Sequence, residues 1–190
     1  MMPMLKVYLA GPDVFFPDKF DIPRQKKDEL KKYGMEGLYP LDNEIANFGK
    51  TQEVGFRIGV LNFQMIDSAD VVLANMVPFR GPSMDVGTVA EIAYAFAKGK
   101  LVVGYYPEPT PLLKERTIAH YNNKVTEKNG EILDPNGHTI EEFEMPENLM
   151  VPTAIRDSGG QIFYSFTGAV SKIQELWKLK QKVPELQLAQ

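Results

Sequence analysis

The chain contains no cysteine, which removes disulfides, thiolate nucleophiles and cysteine-ligated metals together. Imidazole is almost as scarce. His120 and His138 are the only histidines, neither has a companion at metal-ligand spacing, and both fall in polar segments where solvated side chains are expected. No metal site and no cofactor follow from the residue types present, so the chemistry is left to carboxylates and hydroxyls. No apolar run approaches the roughly 18 to 20 residues that span a bilayer. A net charge of −4 and the absence of any basic block argue against a nucleic-acid polymer or an anionic membrane as partner. That bound excludes polymers, not their single building blocks. The N-terminus lacks the pattern of a cleaved signal peptide, which makes a cytoplasmic location the expectation. Internal repeats, heptads and low-complexity tracts are also missing.

What remains is a chain of 190 residues, 44% hydrophobic and 24% charged, the composition of one soluble globular domain. Apolar, β-prone runs at residues 5–10, 37–39, 71–74, 101–106 and 161–166 alternate with helical patterns at 21–33, 53–68, 86–99 and 167–180. The alternation predicts an α/β fold, a doubly wound, Rossmann-like or flavodoxin-like parallel five-stranded sheet with helices on both faces. Asp21 is expected to cap the first helix, with Pro23 in its first turn and Gly34 as its stop. Phe56, Leu61, Met65 and Ile66 mark the apolar side of the second, which Asn62 and Gln64 interrupt. Residues 110–146 are charged and carry the turn signals NG and DPNG, so they read as an insertion with a helix near 112–121 and an irregular or hairpin excursion. The tail, 181–190, is expected to fray.

Residues 67–100 organise the rest. A short buried strand leads through a Gly-, Pro- and Ser-rich loop at 78–85 into a small-residue helix, and ligands of open α/β sheets sit where strands end and helices begin. Over residues 86–97 the only ionisable groups are Glu91 and the Tyr94 hydroxyl. A carboxylate among Val, Ala, Ile and Phe needs a partner, a cleft or a ligand, since burying it alone costs several kcal/mol. Asp85 lies six residues earlier, about 600° around a helix, so it is expected in the loop or at the N-cap, turned back toward Glu91. The plainer reading has Asp85 as a cap only and Glu91 paired with a Lys or Arg from elsewhere.

Two other strand ends carry polar or aromatic loops. The first strand holds Tyr8 and runs into GPDVFFPD, where Phe15 and Phe16 suit a planar ligand or, alternatively, pack beneath the next helix. The second runs into PLDNEIANFGK, where Asp42, Asn43 and Glu44 offer donors and acceptors or merely form a turn.

Taken in order, VYLAGPDVF, PLDNE, NFQMIDSADVVLANMVPFRGPSMDVGTVAEIAYAFAKGK and ENLM resemble the nucleoside 2-deoxyribosyltransferase family over most of the chain. The resemblance implies an enzyme that moves 2-deoxyribose between nucleobases. Glu91 matches the nucleophile that attacks the anomeric carbon, Asp85 the ligand of the sugar hydroxyls, mainly the 5′-OH, and Tyr8 the tyrosine that hydrogen-bonds the nucleophile. Asn148 and Met150 match a pair supplied by a neighbouring subunit, which implies self-association. Glu44 falls where the family places a base contact. Phe15 and Gly81 join the expected substrate-binding positions. Where some members carry an Asp as acid toward the departing base, this chain has Asn62, for which Asp13 and Glu44 are substitutes by position. The partners implied are a deoxynucleoside and a free nucleobase. Two rivals stand beside this reading: an N-glycoside hydrolase of the same superfamily, and a non-catalytic nucleoside sensor. Asp85 would repel a 5′-phosphate, which favours a free 5′-OH.

Overall fold

In the computed structural model of the chain, which describes residues 4–42 and 49–187, the segments richest in buried residues form the middle of one sheet. Strands β3, Val71–Asn75, and β4, Leu101–Tyr105, are buried along their whole length, and β1, Leu5–Ala10, over its last four residues. Continuous burial of this kind belongs to parallel strands covered on both faces. Two short strands, β2 at Met35–Leu38 and β7 at Ile162–Phe163, close the edges. The order is β2-β1-β3-β4-β7, and every pair is parallel. This is the doubly wound five-stranded sheet expected of the sequence. Its chain direction of travel reverses between β1 and β3, which opens a crevice at their carboxyl ends.

Because successive strand residues point to opposite faces, β1 divides its side chains between two cores. Val7 and Leu9 join Leu30, Val170 and Ile173 under helices α1, Asp21–Lys32, and α6, Phe166–Gln187. Tyr8 and Ala10 join Ile66, Ile92, Ala95 and Ile155 under α2, Gln52–Ser68, α3, Val86–Ala97, and α5, Met150–Asp157. That second layer holds the residues of interest.

Some helix ends follow their local chemistry and others do not. Thr51 caps α2 by accepting from the Val54 N–H at 3.3 Å, and Gly99, at φ 69°, follows the end of α3 in the left-handed region that a side chain disfavours. Asp21, expected as a cap, is instead the first residue of α1. The N-cap is Phe20, which makes no side-chain cap bond, so Asp21 acts on the helix dipole from the first turn.

Helix α2 departs from its apolar pattern. Only Ile66 is buried, whereas Phe56 is 69% exposed and Val60 54%, because the C-terminal end alone reaches the sheet. The insertion at residues 110–146 is ordered into regular elements. It holds helix α4, Leu113–His120, and an antiparallel hairpin of β5, Thr126–Lys128, and β6, Glu131–Leu133. Asn129 and Gly130 turn the hairpin at φ 55° and 81°, the signature of an Asn-Gly type I′ turn. Helix α5 has no counterpart in the sequence reading, and α6 continues to Gln187, beyond the residue-181 point where fraying was expected. Between α5 and β7 the backbone passes so close to β4 that a Cβ on Gly160 would overlap the Val102 carbonyl. Among the described residues no helix is long and apolar enough to cross a membrane.

Candidate active site

The crevice is organised by one hydrogen bond between the two central segments. The Tyr8 hydroxyl, at the middle of β1, donates to Glu91 Oε1 on α3 at 2.6 Å, across 83 residues of sequence. Tyr8 is fully buried, and its strand parity aims it at α3 rather than α1. Glu91 has no cationic partner among the described residues, so the plainer reading, an ion pair with a Lys or Arg, is not what the fold builds. Desolvation pushes the Glu91 carboxyl up to about 7, with the nearby Asp85 charge adding to the rise and the Tyr8 hydrogen bond opposing it. Tyr8 in turn is driven far above the phenol range, first by burial and then by the Glu91 charge. The tyrosine is therefore a permanent donor, and the carboxylate is poised between its two forms near neutrality.

Asp85 is the N-cap of the same helix. Its Oδ2 accepts from the Thr88 N–H at 2.9 Å and the Thr88 hydroxyl at 3.1 Å, while no described residue donates to Oδ1. One oxygen thus anchors the side chain and the other remains available to a ligand hydroxyl. Asn62, on α2, presents a buried Oδ1 with no hydrogen-bond partner among the described residues. A buried unpaired acceptor is costly.

Asp13 is differently employed. It is 3% exposed, accepts from Lys26 Nζ at 2.6 Å and from Asn75 Nδ2 at 3.1 Å, and packs so tightly that a Cβ on Gly11 would stand 2.9 Å from Oδ2. Held by a buried ammonium and a buried amide, Asp13 locks the β1 loop. Phe15 is 55% exposed and stacks on Phe79 at 5.3 Å, with the Arg80 guanidinium 5.0 Å from one ring centre and 4.6 Å from the other. It does not tuck beneath the next helix, and it stands as part of a cation-capped aromatic ledge that the sequence reading missed. Gly81 lies beside that ledge with open space where a side chain would be. Asn148 and Met150 are exposed at the start of α5, Met150 by 68%. Glu44 lies outside the described residues.

The sequence profile of the family described as nucleoside 2-deoxyribosyltransferase matches residues 7–150, a span that contains Tyr8, Asn62, Asp85, Glu91 and Met150. The chain belongs to that family. Among nucleoside 2-deoxyribosyltransferase relatives of known structure, the chain is similar to a 2-desoxiribosyltransferase from Leishmania mexicana, with a TM-score of 0.65 and 27% identity, covering 90% of this chain and 97% of that one. A conserved protein from Enterococcus faecalis V583, 18% identical with a TM-score of 0.59 over 91% of this chain and 99% of that one, shares the fold. An uncharacterized protein of Schizosaccharomyces pombe is 28% identical over 172 residues, 85% of this chain and 82% of its own.

Proposed function

We propose that the chain transfers 2-deoxyribose between nucleobases through a covalent sugar on Glu91. The observation that carries this reading is the Tyr8–Glu91 pair: a carboxylate held by one neutral donor, with no cation among the described residues to quench it. Glu91 attacks C1′ of a 2′-deoxynucleoside, the C1′–N bond breaks, and the electron pair leaves with the base. The ionised carboxylate both bonds to and stabilises the oxocarbenium-like centre. A second base then attacks C1′ from the other side and frees the carboxylate. The unoccupied Asp85 Oδ1 receives the 5′-OH, and its negative charge disfavours a 5′-phosphate.

The departing base carries a negative charge unless it is protonated. A purine that takes a proton from solvent at N7 offers an N–H to Asn62 Oδ1, which has no partner among the described residues and accepts without giving up a proton. Purines are thus the preferred donors. The chain acts as a homo-oligomer in the cytoplasm: Phe56, Val60, Val86 and Met150 are exposed on α2, α3 and α5, the side from which a neighbouring copy's Asn148 and Met150 would close the 5′ end.

The deciding experiment incubates deoxyadenosine or deoxycytidine with and without a second base. Base exchange that requires the acceptor is the expected result, with deoxyadenosine faster. Release of base at the same rate without acceptor would make the protein a hydrolase, tight binding without turnover would make it a sensor, and equal donor rates would remove the purine preference.

Tyr8→Phe tests the pair itself. Loss of the donor removes the one influence that lowers the Glu91 carboxyl, so the alkaline-rising limb of kcat/KM against pH, near 7 in the native protein, moves upward by up to about one unit. An unmoved limb would mean that Glu91 is not the group titrating.

A further inference from the structure

The insertion at residues 110–146 supplies none of the groups considered so far, yet its helix α4 sends one side chain into the loop that carries Asp85. Arg116 is 8% exposed and uses every part of its guanidinium. Nε donates to the Pro82 carbonyl at 2.7 Å and Nη1 to the Pro111 carbonyl at 2.5 Å. Nη2 donates to the Pro146 carbonyl at 2.8 Å and to Glu147 Oε2 at 3.1 Å. Glu147, 1% exposed, passes the restraint on: Oε2 also accepts the Met84 N–H at 3.0 Å, and Oε1 the Asn148 N–H at 3.1 Å. The Arg116 guanidinium lies 5.9 Å from the ring centre of Tyr106, whose hydroxyl donates to the same Pro146 carbonyl at 2.7 Å.

A buried ion pair is weak support for stability alone, because desolvation offsets most of its attraction. Its placement is more telling. It joins no helix to the sheet but ties together two loops, one ending at Asp85 and the other at Asn148. The first of these is already closed on itself, by the Phe79 N–H donating to the Ser83 carbonyl at 3.0 Å and by a bridge between Pro78 and Met84. It therefore moves as a unit, tethered to the β1 loop by the Phe15–Phe79 stack and to the Asn148 loop by the Arg116–Glu147 pair. A lysine could not replace the guanidinium, since a single ammonium cannot reach carbonyls on three separate turns.

We propose that Arg116 is a positioning residue: with Glu147 it fixes the loop before α3 so that Asp85 meets the 5′-hydroxyl of the sugar at a set place, and the insertion exists to deliver it. The inference rests on the reading of Asp85 as the 5′-OH ligand. Arg116 touches no substrate and acts through Met84 and its neighbour Asp85.

The test compares the native protein with Arg116→Lys and with the double variant Arg116→Met, Glu147→Gln, which removes both charges and leaves neither buried alone. Each is assayed with 2′-deoxyadenosine and with 2′,5′-dideoxyadenosine, which lacks the group Asp85 would hold, using a free base as acceptor. Both variants should lose about 10- to 100-fold in kcat/KM for the deoxynucleoside. On the 5′-deoxy analogue their rates should stay within about twofold of native. Equal losses on both substrates, or no loss on either, would overturn the proposal. Amide hydrogen exchange provides the second readout: in the double variant, exchange at residues 83–88 should quicken roughly tenfold or more while residues 71–75 keep their protection. Unchanged exchange in the loop overturns the clamp. Should the native protein turn over neither nucleoside, the sugar reading fails, and the exchange result still decides whether Arg116 holds the loop.

Discussion

Glu91→Ala is expected to abolish deoxyribosyl transfer, with a fall in kcat of about ten-thousand-fold or more. The size follows from the lack of a deputy among the described residues. Asp85 is committed through one oxygen to the first turn of α3, and Asp13 is locked between Lys26 and Asn75. Tyr8, held far above the phenol range, remains protonated and is no nucleophile. The substituted protein should still bind a deoxynucleoside, since Asp85 and Asn62 are intact. Native enzyme quenched in acid during turnover should carry the added mass of one deoxyribosyl group on the peptide containing Glu91, and the Ala variant should carry none. Substantial residual transfer, or an adduct on another residue, would end the proposal.

The isosteric change Glu91→Gln should be as inactive and yet more stable, by an amount that grows with pH. The carboxyl titrates near 4.5 when exposed and is raised to about 7 in the fold. Between those values the folded protein binds more protons than the unfolded one, so the stability contributed by the neutral carboxyl is full below about 4.5 and is lost as pH rises through about 7. Above neutrality the native chain bears the whole penalty, at most about 3 kcal/mol, and the glutamine variant bears none. Thermal unfolding at pH 5 and pH 8 checks this. The two proteins should melt close together at the lower pH and roughly 5–10 °C apart at the higher, with the variant above. A gap that stays constant or closes with rising pH would show that the carboxyl is not held in a desolvated place. Instability at the site that does the chemistry is the familiar exchange of stability for activity.

The parts of the fold legible in the sequence are those where burial leaves a local mark. The runs at β1, β3 and β4 read as strands because both of their faces are apolar, and the NG pair marks the β5–β6 hairpin because only a few residues tolerate that turn. Helix α5 left no such mark. It is eight residues long, has no side-chain cap, and contains Val151, Pro152, Thr153 and Ile155, poor helix formers that packing against α3 overrides. The site divides in the same way. Glu91 was conspicuous because a charge on an apolar helix is rare, and Asp85 because its distance from Glu91 forced it off the helix. The lock made by Asp13 left no local mark because its partner Lys26 lies thirteen residues away on another element. Arg116 was invisible for a like reason: three of its four partner residues lie 30 to 34 residues off in two separate loops, and nothing in a charged insertion distinguishes the one side chain that turns inward.

The division of β1 between two cores has an effect on how such a protein can diverge. Parity of position decides which layer each side chain enters, so one residue added or removed between Leu5 and Tyr8 would send the phenol to the wrong side and bring an aliphatic group against Glu91. The turn ahead of Asp85 obeys no such rule: the aspartate is fixed by its bonds to Thr88, so a residue added to that turn leaves both the cap and the face on which Tyr8 meets Glu91 unchanged.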